Sequence, residues 1–264
     1  MRKALSPSSL HVANALGLLD LLTDYIHLSN DYREKPSIEH RMEIIELSQK
    51  IHSRVNQASL EIAAVASEMD CEEERADQIA SYLKEQEDEA ETRLTVGALV
   101  VGALGAIVSG VLLANGNESN APDFVGIGAG LAEVTLGVMI LTNKKTVLFY
   151  HPRNALKDIW TAPETSSIFP PAVWFYLNYK NPESPEKPLR EQLVEQWLSF
   201  GQVADAHNKN KEKLYALLFG EGGRYTAEQL ANRANMHDQV ESQVNLMQQA
   251  LRQLGSDIER LFQR

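Results

Sequence analysis

Apolar residues recur at three- and four-residue steps along most of the chain, which is the pattern of amphipathic helices. The longest such stripe runs from Ile44 to Leu83 and is interrupted only where Glu72 takes a stripe position. Neither glycine nor proline occurs between Ile38 and Val96. Because these are the residues that most often end helices, we predict one long helix that begins near Ser37 and runs toward an apolar stretch.

Two apolar runs follow this amphipathic pattern. Leu94–Asn117 has no charged residue in 24 positions, and Phe124–Leu141 carries a single charge. Runs of about 18 or more apolar residues are long enough to cross a bilayer core as a helix. We therefore predict an apolar helical hairpin over residues 94–145 that spans or inserts into a membrane. A hairpin buried inside a soluble helical bundle is the alternative.

Glycine recurs in both arms of the predicted hairpin. Small residues let helices approach closely in lipid, where packing leucine on leucine gains little, whereas each glycine costs about 1 kcal/mol in a water-exposed helix. This pattern indicates a glycine zipper. The membrane-inserting candidates are Gly97, Gly102, Gly105, Gly110, Gly126, Gly130 and Gly137.

Glu133 is the single charge of the second arm. A carboxylate at mid-membrane depth costs several kcal/mol unless it is protonated, paired or facing water. Two interpretations follow. Glu133 either lines a pore or carries a proton, or it faces solvent from an arm that is half-buried against protein.

Residues 146–187 are rich in proline and aromatic residues, so they cannot form one helix. We predict short helices near Asn154–Trp160 and Ala172–Tyr179, joined by extended links. Tryptophan and tyrosine collect at membrane–water interfaces, but they equally plug the base of a helical bundle. The candidate interfacial aromatics are Trp160, Trp174 and Tyr176.

The chain ends are predicted to be helical as well. Ser8 or Ser9 can cap a first helix that runs to about Ser29, after which the segment Asn30–Pro36 breaks it. Near the other end, Pro188 suits the first turn of a helix that ends at Gly220.

Two further features concern the last helix. Gly222 and Gly223 are predicted to form the turn before it, and Thr226 with Gln229 forms a capping-box pattern at its start. From Val240 onward it carries a heptad seam. The partner of this seam is the 38–93 helix, the 188–220 helix or another copy of the chain, and packing within the same chain is the default.

Charge and motifs narrow the function. The net charge of −11 argues against binding to nucleic acid, which needs basic patches. The single cysteine, Cys71, excludes an internal disulfide. No histidine pair has metal-ligand spacing, and no nucleophile elbow, phosphate-binding loop or kinase signature occurs. We therefore expect neither an enzyme nor a bound metal or cofactor.

These observations predict an all-α protein, an elongated helical bundle or coiled coil with an apolar glycine-rich hairpin and a Pro/aromatic-rich irregular segment. The predicted domains are the N-terminal helices, the hairpin, the connecting segment, and a C-terminal antiparallel helical pair that packs on the 38–93 helix. Their bounds are 1–93, 94–145, 146–187 and 188–264.

Long amphipathic helices around one apolar, glycine-rich hairpin resemble the architecture of the α-helical pore-forming toxins of the haemolysin E kind. That resemblance implies a hairpin stored against a bundle and later inserted into a membrane. We expect a membrane-associated protein, in a bacterial envelope or in a target membrane, with a soluble storage form as one variant. Its partners are a lipid bilayer and either further copies of itself or a helical protein. The alternative is a soluble coiled-coil interaction module.

Overall fold

The fold was taken from a computed structural model, which describes residues 5–88, 146–180, 186–203 and 211–263. Within these ranges the chain is mostly helical, as predicted, and contains one two-stranded sheet. The helices are α1 (Pro7–Ala15), α2 (Leu19–Glu34), α3 (Ile38–Asp88), α4 (Ala155–Thr161), α5 (Pro171–Asn178), α6 (Leu189–Ser199), α7 (Lys211–Phe219) and α8 (Ala227–Phe262). The strands are β1 (Thr146–Tyr150) and β2 (Gly222–Thr226).

The N-terminal region differs from the single helix that we predicted. Ser6, and not Ser8 or Ser9, caps α1, because its hydroxyl accepts a hydrogen bond from the Ser9 backbone N–H. Gly17 then takes a left-handed conformation, with φ of +60°, and divides α1 from α2. A second difference is that α2 continues through most of the predicted break and ends at Glu34.

Helix α3 begins where the sequence predicted. The Ser37 hydroxyl accepts a hydrogen bond from the backbone N–H of His40, which caps the first turn. The helix then continues without interruption to Asp88. Most of the predicted stripe is buried, including Ile51, Ile62 and Met69.

Two compact units divide the chain. The first comprises Met1–Asp70, Pro163–Leu193 and Asp238–Arg264, and the second comprises Cys71–Ala162 and Val194–His237. The long helices α3 and α8 contribute residues to both.

In the first unit, α8 joins the N-terminal helices. Its seam is buried within one chain, and Gln248 donates a hydrogen bond to Ser59 on α3 at 3.0 Å. Asp257 accepts a 2.7 Å hydrogen bond from the buried Ser9 hydroxyl of α1. The buried seam residues are Val240, Val244, Met247, Leu251, Leu254 and Ile258.

In the second unit, β1 and β2 pair as an antiparallel ladder from Thr146↔Thr226 to Tyr150↔Gly222. Val147 and Phe149 point into the core, and Phe149 packs edge-on against Tyr225 at 5.7 Å between ring centroids. The strand pairing was not predicted. It replaces one of the extended links expected in the Pro/aromatic segment, whereas the two short helices of that segment, α4 and α5, are confirmed.

The region after Pro188 also departs from the prediction. Instead of one helix to Gly220 there are two, α6 and α7, and Gly201 is left-handed just after α6, with φ of +70°. Gly222 and Gly223 do not form a turn but begin β2. The capping box is confirmed, since the backbone N–H groups of Gln229 and Thr226 each donate to the other residue's side chain.

The hairpin predicted over 94–145 lies outside the described residues, so its helices and glycine zipper stay predictions. Among the helices in the described ranges, none combines the length and hydropathy needed to cross a membrane.

Candidate functional site

Charged and polar side chains occupy core positions in the second unit, where the two long helices carry apolar stripes elsewhere. Continuing the α8 seam from Val240 toward its N-terminus in steps of three and four reaches His237 and then Arg233. Both side chains are fully buried, and Glu72 on α3 is nearly so. We call the set that surrounds them the buried cluster, which comprises Glu72, Arg75, His151, Asn154, Tyr225, Arg233 and His237.

Glu72 is the carboxylate of the buried cluster. Its Oε2 atom lies 2.6 Å from Nη2 of Arg75 and 4.0 Å from Nη2 of Arg233. Both arginine side chains are almost inaccessible to solvent. Buried ions are costly unless they are paired, so one carboxylate here offsets the charge of two guanidinium groups and leaves the three with a net positive charge.

Arg75 ties α3 to β1. Its Nη1 atom donates a 3.2 Å hydrogen bond to the backbone carbonyl of Tyr150, and its guanidinium carbon lies 4.2 Å from the centroid of the Phe149 ring. A cation over an aromatic face is attracted by the ring quadrupole. The last two residues of β1 are therefore held by a side chain of the helix that precedes the predicted hairpin.

Arg233 and Asn154 close the C-terminal end of α7. Arg233 donates to the carbonyl of Leu218 at 3.1 Å, and the Asn154 amide donates to the carbonyls of Leu218 and Gly220 at 2.9 and 3.0 Å. The last carbonyls of a helix have no partner within it and carry partial negative charge. A buried guanidinium and an amide therefore satisfy them.

His151 follows β1 and has a defined tautomer. The Tyr225 hydroxyl donates to the Leu217 carbonyl at 2.7 Å, so its oxygen is free to accept from Nε2 of His151 at 2.9 Å. This arrangement places the ring hydrogen on Nε2 and leaves Nδ1 bare. Nδ1 is buried and has no hydrogen-bond partner among the described residues.

Both histidines of the buried cluster are held neutral. Burial, reinforced by the positive charges of Arg233 and Arg75, lowers the pKa of His151 to about 3. Burial first, and then Arg233, Arg75 and His151, hold the pKa of His237 well below its usual range. Neither ring nitrogen of His237 has a hydrogen-bond partner within the described ranges. A proton on either ring would therefore add positive charge close to the guanidinium groups of Arg75 and Arg233.

The three aromatic residues that the sequence singled out are not part of the buried cluster. Trp174 and Tyr176 on α5 are 7% and 8% exposed, and Tyr176 stacks on His11 in the first unit. Trp160 is half-buried in the second unit and stacks on Phe219 at 4.7 Å. Their burial is the arrangement expected of aromatics that plug a core, so an interfacial role would require them to become exposed.

The seven glycines and Glu133 that we assigned to the hairpin lie outside the described residues, so their roles stay predictions. Of the three aromatics, Trp174 lines an open cavity of about 590 Å³ on the first unit with Phe175 and Tyr179.

Sequence reasoning found only part of the buried cluster. Glu72 was noticed as an interruption of the α3 stripe, but Arg75, Arg233, His151 and His237 were not singled out. A usable signal was present, because Arg233 and His237 continue the α8 seam and Arg75 follows Glu72 by one helical turn. Polar residues on core stripes of two helices are expected to pair with one another.

Comparisons with known proteins give no further guide to this site, since no family model, curated protein or solved structure matches the chain.

Proposed function

We propose that this protein is a non-enzymatic helical membrane protein whose 94–141 hairpin spans or inserts into a bilayer, as an envelope scaffold or a pore-forming component. The observation that carries the proposal is the hairpin itself. Its first arm has no charge in 24 residues, and its second arm has one in 18. The finer architecture, an elongated helical bundle or coiled coil that bears the hairpin, belongs to the same proposal.

Length and composition support membrane insertion over permanent burial. Each arm reaches the roughly 18 to 20 residues that a helix needs to cross a hydrocarbon core of about 30 Å. The glycines of each arm weaken a helix in water but favour helix contact in lipid. Helices of this composition are therefore expected to be more stable in hydrocarbon than in water.

Neighbouring described elements offer such a hairpin a fixed base. Helix α3 ends at Asp88, before the first arm, and β1 begins at Thr146, after the second. Arg75 in the second half of α3 donates to the Tyr150 carbonyl at the end of β1. The helix before the hairpin and the strand after it are thus joined through one polar cluster.

Liposome flotation tests the proposal. Full-length protein is mixed with phosphatidylcholine vesicles, whose neutral headgroups remove electrostatic attraction as an explanation of binding. A variant with lysine at Leu104 and Val108 places two charges in the first arm and should lose flotation, because a lysine at mid-bilayer costs about 3 kcal/mol or more. The matched control is Leu60→Lys, at a described position of α3 that is 56% exposed.

A second measurement reports the depth of the hairpin. An environment-sensitive dye is attached to Gly105→Cys in a Cys71→Ser background, which is practical because Cys71 is the only native cysteine. A blue shift with vesicles is expected for this site and not for Ser53→Cys on the exposed face of α3. Wild-type protein that stays with the soluble fraction both at neutral pH and at about pH 5, together with a dye at residue 105 that is unshifted under both conditions, would reject the proposal.

A soluble interaction module is the second candidate, and one observation favours it. Ile38, Met42 and Ile45 follow one another on a single face of α3 and are 80%, 67% and 47% exposed. An exposed apolar stripe is typical of a surface that meets another protein. For such a module, Met42→Glu should weaken self-association in sedimentation velocity, whereas Leu246→Glu, at a leucine of α8 that is 47% exposed, should not.

A further inference from the structure

Three chain segments that surround the predicted hairpin meet in the buried cluster. Glu72 and Arg75 come from α3, His151 directly follows β1, and Arg233 and His237 come from α8. The contacts of Arg75 hold the end of β1, while the Tyr225 hydroxyl and the Leu217 carbonyl hold His151. Any charge added to this cluster therefore acts on the attachment of β1.

We propose that the buried cluster is an acid-sensitive latch, in which protonation of His151 and His237 releases β1 from α3 and β2 and so frees the hairpin to enter a membrane. This inference rests on the proposed function for its last step. The release itself concerns described residues alone and is measurable without lipid.

The charges that face the two histidines favour release on acidification. Arg75 from α3 and Arg233 from α8 both lower the pKa of each histidine, and His151 lowers that of His237. Glu72 is the only carboxylate paired with these arginines in the contacts above, and Tyr225 from β2 stays neutral because burial raises its pKa to about 12. A proton on either histidine would add a third or fourth positive charge next to the guanidinium groups of Arg75 and Arg233.

Hydrogen bonding acts in the same direction. Protonated histidine carries a second N–H donor, which in His151 would be Nδ1 and in His237 either nitrogen. None of these three nitrogens has a hydrogen-bond partner within the described ranges. Opening lets the new donor bind water, and β1 is then held only by the burial of Val147 and Phe149 and by a two-stranded ladder, which is marginal alone.

The expected response can be bounded. If the opened form restores the usual histidine pKa of about 6.5, the ratio of opened to closed protein rises about 30-fold per histidine between neutral pH and about pH 5. The fold-changes of the two histidines multiply, so acid shifts the population of opened protein far more than a single buried histidine would.

The first test measures opening without lipid. Hydrogen exchange at the 146–151 amides, corrected for the intrinsic effect of pH, should accelerate at about pH 5 relative to about pH 7.4 in the wild type. It should change little in His151→Gln/His237→Leu, in which glutamine keeps a donor toward Tyr225. His27→Gln, at an exposed histidine of α2, is the matched control and should respond like the wild type. Equal exchange at both pH values in the wild type would overturn the latch.

A crosslink keeps the test independent of how well the histidine variants fold. The His151 N–H donates to the Glu221 carbonyl, so Leu148 and Arg224, which face each other three residues along the ladder, form a non-hydrogen-bonded pair. Such pairs are close enough for a disulfide. Leu148→Cys/Arg224→Cys in a Cys71→Ser background should abolish acid-induced opening when oxidised and recover it when reduced. Opening that persists in the oxidised form would contradict release of β1.

Flotation with phosphatidylcholine vesicles then separates the latch from the proposed function. Acid-dependent flotation in the wild type, lost in the oxidised crosslink and in the double histidine variant, supports both. Flotation that is equal at both pH values overturns the latch as the trigger and leaves membrane insertion standing. Acid-dependent exchange with no flotation at either pH supports release of β1 and rejects insertion.

Discussion

The carboxylate of Glu72 on α3 lies 4.0 Å from the guanidinium of Arg233 on α8, and neither side chain is appreciably exposed to solvent. The same carboxylate oxygen accepts a hydrogen bond of 2.6 Å from Arg75. A single acidic group therefore neutralises charge contributed by both long helices. The second unit is held together at its centre by an ionic contact, and its stability depends on the charge balance there.

Replacing Glu72 by glutamine should destabilise the protein strongly. The substitution keeps the size of the side chain but removes the carboxylate charge that pairs with Arg75 and Arg233, and breaking a buried ion pair from one side typically costs about 3 to 5 kcal/mol. Urea unfolding followed by circular dichroism measures the loss. Glu74→Gln, two residues further along α3 at an exposed position, should change the free energy of unfolding by less than about 0.5 kcal/mol. Equal effects of the two substitutions would show that the buried ion pair contributes nothing special.

Stability should fall as the pH falls below about 6.5. In that range the unfolded chain binds protons at His151 and His237, whereas folded His151 stays neutral until about pH 3 and the pKa of His237 is also strongly lowered. Because the unfolded state binds more protons, the free energy of unfolding decreases by up to about 1.4 kcal/mol per pH unit for each histidine. Urea midpoints measured at a series of pH values report this slope.

The variant His237→Leu separates the contribution of one histidine. Leucine removes two buried nitrogens that have no partner in the described part of the chain, so its stability at neutral pH should equal or exceed that of the wild type. Its slope between about pH 6.5 and 5 should be shallower by about half, provided that the two histidines act alike. An unchanged slope would mean that His237 does not take part in the acid response.

How much of this structure the sequence could predict depends on how far apart in the chain the interacting residues lie. The start of α3, the capping box at Thr226 and the two short helices of the Pro/aromatic segment follow from local rules, in which a few neighbouring residues fix the backbone. The left-handed break at Gly17 is also local but was missed, since the apolar stripe runs on across it.

Long-range pairing was beyond sequence reasoning. β1 pairs with β2, which follows it in the chain only after the four helices α4 to α7, and no feature of residues 146–150 indicates that partner. The buried cluster is similar, because α3, β1 and α8 each contribute only one or two polar residues. In the sequence, each of these polar residues is a single interruption of an apolar pattern. They form a cluster only when the three elements pack together.

Ser9 and Asp257 connect the first and last helices of the chain, and their contact should stabilise the first unit. The buried Ser9 hydroxyl donates to Asp257 Oδ2 at 2.7 Å, and the Ser6 backbone N–H donates to the same atom at 3.2 Å. Hydrogen bonds to a charged group contribute about 1.5 to 3 kcal/mol, so Ser9→Ala should lower the free energy of unfolding by that amount. The exposed Ser8→Ala is the control. In a double-mutant cycle with Asp257→Asn, additive losses in the free energy of unfolding would show that the two side chains are not coupled.

Two glycines of the described chain should respond to alanine in opposite directions. At Gly222 the backbone has φ of +103°, and an added Cβ would lie 2.2 Å from the Phe149 carbonyl oxygen, so alanine is strained and must disturb the β1–β2 pairing. At Gly255, within α8, an added Cβ meets no atom within 4 Å. Gly255→Ala should therefore stabilise the protein by up to about 1 kcal/mol, the difference in helix propensity. Gly222→Ala should instead cost more than about 1 kcal/mol, because a non-glycine residue in such a conformation is itself strained by that order.

Thermal and urea unfolding of the two variants measure whether each substitution stabilises or destabilises the protein, and near-ultraviolet circular dichroism of the packed aromatics reports on the sheet. A Gly222→Ala variant as stable as Gly255→Ala would mean that the close approach of β2 to β1 does not hold in solution.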